Sequence, residues 1–176
     1  GKKLSAGQDL SIRPITNRNK EIIFSVLGDF CKDRWVLDLF SGSGSLGLEA
    51  ISRGAEGVTF IENTSRSIEV LKLNIGQLSI NSNLVRVIQS DVLDYIRRGE
   101  ASFPLILADP PFKFLQMQIL VNDICAYKVL AQKGVLMLHH EIDNPIKLKT
   151  EIYQVIKQKK VGRSHLSFII QEGENV

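Results

Sequence analysis

A turn carrying three glycines limits what this chain can fold into more than any other stretch. Residues 35–62 read WVLDLFSGSGSLGLEAISRGAEGVTFIE. An apolar run, Trp35 to Phe40, enters a turn that holds Gly42, Gly44 and Gly47. Leu46, Leu48, Ala50 and Ile51 then begin a helical pattern that stops near Gly54. A second apolar run, Val58 to Ile61, ends on Glu62. Strand, glycine-rich turn, helix, strand and acid make one βαβ unit, with a nucleotide-sized site at its mouth.

The residues of this unit narrow the nucleotide. The glycines match G-x-G-x-x-G, and Glu62 lies 20 residues past Gly42, where a dinucleotide site wants an acid for its ribose hydroxyls. On spacing alone this fits NAD. Asp38 argues for another ligand. It sits inside the first strand just before the turn, poorly placed beside a pyrophosphate and well placed beside an amino-acid ammonium. The bland alternative is a buried acid bound to nearby backbone amides, since a buried carboxylate needs partners. Asp91 ends a third strand, where it can accept from an adenine amine, cap the following helix, or do both. Acids at three strand ends suit a ligand with a cationic end, a ribose and an adenine. S-adenosylmethionine is such a ligand.

The most specific signal is Asp109-Pro110-Pro111-Phe112, which ends a fourth strand. Consecutive prolines forbid helix and remove two backbone donors. Carbonyls and the Asp109 carboxylate remain, all acceptors, followed by an aromatic ring. That set suits a planar base bearing an amino group: the amine donates to Asp109 and a backbone carbonyl, and Phe112 stacks. The competing reading is a rigid loop with Phe112 plugging the core. Open α/β sheets bind ligands at strand C-terminal ends, which favours the pocket.

The rest of the chain fits one domain. Its 176 residues are 44% hydrophobic and 23% charged, ordinary for a globular protein with its own core. A net charge of +3 and a pI near 8.9 permit an anionic partner without demanding one. Cys31 and Cys125 lack metal-ligand spacing and read as reduced and buried, in a cytoplasmic protein. No apolar run approaches the ~18 residues of a membrane span, and GKKLSAGQDL has no apolar signal region. Helices are expected from Thr16 or Asn17 to about Phe30, Ser45 to Arg53, Asn63–Ser65 to about Leu78, Val92 to Arg97, and over much of Gln116 to Leu130. Strands are expected at Arg34–Phe40, Val58–Glu62, Val85–Gln89, Leu105–Ala108 and Val135–His139, then Tyr153–Val161 and His165–Ile170 as a hairpin turning near Gly162-Arg163. Alternating strands and helices with a late hairpin give an α/β layered, mostly parallel sheet.

The chain resembles the class I S-adenosylmethionine-dependent methyltransferases, and within them the RsmD family, which modifies a guanine N2 amine of 16S ribosomal RNA. The resemblance covers nearly the whole chain. RPITNRNKE at Arg13–Glu21 is similar to an RPTTDRVRE-like N-terminal element, and LDLFSGSGSLGLEAISRGA to the cofactor loop and helix. Glu62 falls on the ribose acid, Asp91 on the adenine contact, DPPF on the catalytic motif, and VGRSHLSFI on a terminal YGxTxLxF-like strand. Asn17 stands where the family has Asp, Asn19-Lys20-Glu21 where it has VRE, and His139-His140-Glu141 where it has a more apolar strand ending in Glu.

The resemblance implies a Rossmann-like fold: a mostly parallel seven-stranded sheet with a C-terminal antiparallel hairpin and helices on both faces. It implies S-adenosylmethionine held by Asp38, Phe40, Gly42, Gly44, Gly47, Glu62, Asn63, Asp91, Val92 and Asp109. Catalysis falls to Asp109, Pro110, Pro111 and Phe112, with no metal. Residues 1–30 become an RNA-contacting extension and helix, with Arg13, Thr16, Arg18 and Lys20 on 16S ribosomal RNA of a small subunit, and residues 31–176 the catalytic core of a monomer. His139, His140 and His165 form no metal pattern and are expected at the surface or a strand edge. Lys157, Lys159, Lys160 and Arg163 read first as a solvated edge that deters aggregation. The rivals are an adenine-N6 methyltransferase, which DPPF also permits; an NAD-linked oxidoreductase, which leaves Asp38 and DPPF unexplained; and a non-catalytic RNA-binding protein on the same fold.

Overall fold

The computed structural model describes residues 15–148 and 152–171. Arg13, Lys2 and Lys3 lie outside them. Helix α1 (Asn17–Leu27) begins at Thr16, whose Oγ1 accepts from the Asn19 amide at 3.2 Å. It ends earlier than the apolar pattern suggested. Gly28 takes φ +53°, and Gly28–Cys31 tighten into a 3₁₀ turn. The chain then alternates: β1 (Trp35–Leu39), α2 (Ser45–Ser52), β2 (Gly57–Glu62), α3 (Ser65–Gln77), β3 (Val85–Gln89), α4 (Val92–Arg98), β4 (Phe103–Ala108), α5 (Met117–Ala126) and β5 (Leu130–Glu141). The hairpin β6 (Tyr153–Val161) and β7 (Ser164–Gln171) follows, turning at Gly162 and Arg163.

The seven strands lie in the order β3-β2-β1-β4-β5-β7-β6. β1 to β5 run parallel, and β7 joins β5 antiparallel. The hairpin therefore folds back with β7 inserted, and β6 becomes the edge. Residues 154–160 of β6 are exposed, which leaves Lys157, Lys159 and Lys160 as the solvated edge expected.

Side chains alternate across the sheet into two apolar layers. Val36, Val58, Phe60, Leu105, Leu107, Met137 and Phe168 face one way, against Ile23, Phe24 and Leu27 of α1, Leu46 and Leu48 of α2 and Leu71 of α3. Leu37, Leu39, Ile106, Leu136, Leu138 and Ile169 face the other, against Val92 and Ile96 of α4 and Leu120 and Ile124 of α5. Helices thus cover both faces, which is why β1 and β4 carry near-continuous apolar runs.

Two boundaries differ from expectation for one reason. β4 starts at Phe103 and β5 at Leu130, because Phe103 pairs with Leu130 before the register slips, and Leu105 next pairs with Val135. The extra β5 residues form a bulge with Lys133 at φ +60°. Pro104 sits at this break, where no ladder donor is required of it. Helix α5 accordingly stops at Ala126, and Val129 packs beside β4 with its carbonyl accepting from Phe103 N at 2.8 Å.

Candidate active site

Parallel pairing brings four strand ends to one edge. Leu39 is level with Ile61 of β2 and Ala108 of β4, and Glu62 with Gln89 of β3. β1 and β4 are neighbours, and the chain leaves β1 for β2 on one side and β4 for β5 on the other. Such a switch point opens a crevice at the carboxyl ends of the strands.

The glycine turn forms one wall. Phe40, Gly42 and Gly44 take φ of +58°, +52° and +82°. The two glycines adopt this region freely; Phe40 does not, and its ring packs edge-to-face on Phe114 at 4.9 Å. Gly44 N donates to Ser41 O at 2.7 Å, and Ser41 N to Ile61 O at 3.0 Å, tying the turn to β2. Gly47 lies where α2 touches the sheet. A Cβ there would meet Phe60 Cε1 at 2.4 Å and Asp38 Oδ2 at 2.9 Å. Asn74 of α3 is buried and donates from Nδ2 to Ser43 O at 3.0 Å, bracing the turn from below.

The acids of this wall are bound by backbone amides. Asp38, 1% exposed, accepts from Gly47 N at 2.9 Å through Oδ2. Burial pushes its carboxyl up to about 8; the Gly47 amide opposes the shift, and Asp109 and Glu62 add to it. A buried carboxyl in the field of two more acids lacks positive charge, which a cationic ligand would supply. Glu62 accepts from Gly42 N and from Thr64 N, each at 2.9 Å. Asp91 caps α4, its Oδ1 accepting from Leu93 N at 2.8 Å and Asp94 N at 3.2 Å. Asn63 is exposed, and its carbonyl accepts from Gln89 Nε2 at 3.1 Å, whereas the side chain of Val92, the first residue of α4, is buried.

The other wall follows β4. Asp109 and Pro110 are half-buried, Pro111 and Phe112 exposed. Pro111 O accepts from Phe114 N at 2.8 Å, closing the loop into a tight turn. Phe112 is 56% exposed, so it does not plug the core; Phe114 is the ring that packs inward, on Phe40.

A family model described as "Conserved hypothetical protein 95" matches residues 1–170. The ribosomal RNA small subunit methyltransferase D of Haemophilus influenzae is 32% identical over 164 residues, spanning 92% of this chain and 84% of that protein. The chain belongs to the RsmD family. A solved Escherichia coli structure assigned as a methyltransferase superposes with a TM-score of 0.86 at 26% identity, covering 99% of this chain and 94% of that one. The fold also recurs in a protein solved with S-adenosylhomocysteine, at a TM-score of 0.72 and 16% identity over 88% of this chain and 50% of that one.

Asp38 lies in β1 and Phe40 just past its end, Glu62 ends β2, and Asp91 and Asp109 follow the ends of β3 and β4, while Gly42 and Gly44 lie in the turn after β1 and Gly47 in the first turn of α2. Thr16, Arg18 and Lys20 lie on the first turn of α1 or cap it, and Arg13 lies outside the described residues. Among the described residues no hydrogen bond or ion pair joins α1 to the strand-end acids.

The histidines correct the reading from sequence. His139 is neither at the surface nor at an edge: its Nδ1 is 2.6 Å from Asp109 Oδ1, and its side chain is 15% exposed. His140, on the opposite face of β5, is buried, 2.9 Å from Ser167 Oγ through Nε2. Burial holds its imidazole below the usual value. His165 is half-buried, its ring 5.7 Å from that of His140. The cause is topological. β5 lies between β4 and β7, so it is an interior strand. Cys31 is buried as expected; Cys125 is only partly so. No group of three or more His, Cys, Asp or Glu among the described residues could hold a metal ion, and no helix among them is long and apolar enough to cross a membrane.

Proposed function

We propose that this chain transfers the methyl group of S-adenosylmethionine to the exocyclic N2 amine of a guanine in 16S ribosomal RNA. The observation that carries the reading is Asp109-Pro110-Pro111 at the end of β4, next to β1 with its amide-bound Asp38 and two strands from β2 with its amide-bound Glu62. Asp38 offers its charge to the ammonium of the cofactor, the glycine turn to its methionine portion, Glu62 to the ribose and Asp91 to the adenine. The cofactor supplies an electrophilic methyl on sulfonium.

The chain's own groups arrange the amine. The target guanine leaves its stack at a cost of a few kcal/mol. Its N2 donates to Asp109 and to the Pro110 carbonyl, which raises electron density on nitrogen and favours pyramidal geometry. Phe112 stacks on the base. Alignment and electrostatics carry most of the rate, because the amine turns acidic only once methylated. Residues 1–30, with Arg13, Thr16, Arg18 and Lys20, form the RNA-contacting extension, and phosphate contacts there set orientation. The working form is a cytoplasmic monomer acting on a small ribosomal subunit or its precursor.

The test is methyl transfer from labelled S-adenosylmethionine to unmethylated 16S RNA, assembled small subunits and duplex DNA, followed by nucleoside analysis. N2-methylguanosine, absent with Asp109→Ala, is the expected product. N6-methyladenine would overturn the substrate and keep the chemistry. No transfer despite cofactor binding would favour a non-catalytic RNA-binding role. S-adenosylhomocysteine, and not NAD, should raise the melting temperature.

A further inference from the structure

We propose that His139 is a positioning residue for Asp109: it grips one carboxylate oxygen and so presents the other to the amine being methylated. The inference rests on the role of Asp109 proposed above. The acids of this site are otherwise fixed by backbone amides close in sequence. Asp91 accepts from residues two and three ahead of it, and Glu62 from the residue two ahead and from the glycine turn. Asp109 is denied the nearest of these, because Pro110 and Pro111 have no N–H. The donor that meets it comes from another strand.

β5 supplies one. Ala108 is level with Leu138, so Asp109 and His139 are the next pair along neighbouring parallel strands. Their side chains meet at 2.6 Å, at the short end for an N–H bond to a carboxylate. A carboxylate only accepts, so Nδ1 carries the hydrogen. The pair is sheltered, with side chains 21% exposed at Asp109 and 15% at His139. His139 is itself held from behind. β7 pairs with β5 on the far side, His139 level with Leu166, and the next residue, His140, is anchored on the opposite face to Ser167. With Oδ1 engaged, Oδ2 is the oxygen that meets the base.

The experiment compares His139→Leu, His139→Asn and Asp109→Ala with the unaltered protein, reading kcat and KM for RNA, S-adenosylhomocysteine affinity and melting temperature. Leucine removes the donor and keeps bulk; asparagine places an amide N–H at the branch position of Nδ1. His139→Leu should lower kcat roughly 10- to 100-fold. S-adenosylhomocysteine affinity and melting temperature should stay near those of the unaltered protein, and His139→Asn should recover most of the rate. Unchanged kcat in His139→Leu would overturn the proposal, as would an asparagine variant as slow as the leucine one. Full activity in Asp109→Ala would overturn the parent reading instead.

Discussion

Asp38 and Glu62 on the glycine-turn wall and Asp109 on the β4 wall are all strand-end acids, but they are held by different means. Asp38 is bound by the amide nine residues on, at Gly47, and Glu62 by amides on either side of it in sequence, Gly42 and Thr64. Asp109 is bound by a side chain thirty residues away. The first wall is built from its own βαβ unit. The second exists only once β4 and β5 have paired. A cofactor common to many reactions can be met by a wall fixed locally, whereas a substrate-specific wall is assembled from parts that vary independently.

The largest effect that tests this contrast is at Asp109. Asp109→Ala should lower kcat by about 10²–10³, the usual scale for removing one group that stabilises a transition state. The thermal shift caused by S-adenosylhomocysteine should shrink but survive, since Asp109 is only one of the residues expected to hold the cofactor. Loss of both together would mean that the walls are not separable. Glu62→Gln should do the opposite. An amide cannot accept from Gly42 N and Thr64 N at once, so one N–H would face an NH₂ group. S-adenosylhomocysteine binding, read by calorimetry, should weaken about 10- to 100-fold, as for a lost hydrogen bond to a charged group. At saturating cofactor, kcat should stay within a few-fold.

The same contrast explains what the sequence revealed. The βαβ unit, the three glycines and Glu62 were legible because their partners lie within one local spacing. The cap alternative for Asp91 was legible because its amides are the next ones along. The hairpin at Gly162-Arg163 was legible from two β-rich runs meeting at a turn. The position of β7 was not, because strand order depends on pairing between residues far apart, such as Met137 with Phe168. Pairing with β7 covered the far edge of β5 and buried His140 on Ser167, while pairing with β4 set His139 on Asp109. Pro104 hid the start of β4, since a proline argues against a strand unless a bulge removes the need for its donor. Phe114 carried no signal of its own beside the more conspicuous Phe112.

Phe112 gives a smaller effect, confined to the second wall. More than half of its surface is exposed, so the folded chain does not depend on it. Phe112→Ala should leave the melting temperature nearly unchanged. Base–aromatic stacking is worth about 1–3 kcal/mol, so kcat/KM for RNA should fall by about fivefold or more. A large loss of stability instead would show that the ring belongs to the core.

A further effect belongs to the first wall and is read in stability alone. Asp38 has its carboxyl raised from 3.8 to about 8, chiefly by burial. The folded state therefore holds a proton that the unfolded chain releases near pH 4. The stability tied to that proton is complete below about pH 4 and is lost as pH rises through about 8. The unliganded protein should melt lower at pH 8.5 than at pH 5.5 by more than Asp38→Asn does, because asparagine keeps an oxygen for Gly47 N and carries no charge to bury. His140 titrates in both proteins and cancels from the difference. For a chain of this size about 1 kcal/mol moves the melting temperature by roughly 2–4 °C, so the comparison is within reach of calorimetry. Saturating S-adenosylhomocysteine should shrink the excess loss, since its ammonium would supply the positive charge that Asp38 lacks. An excess that persists with ligand bound would place that ammonium elsewhere.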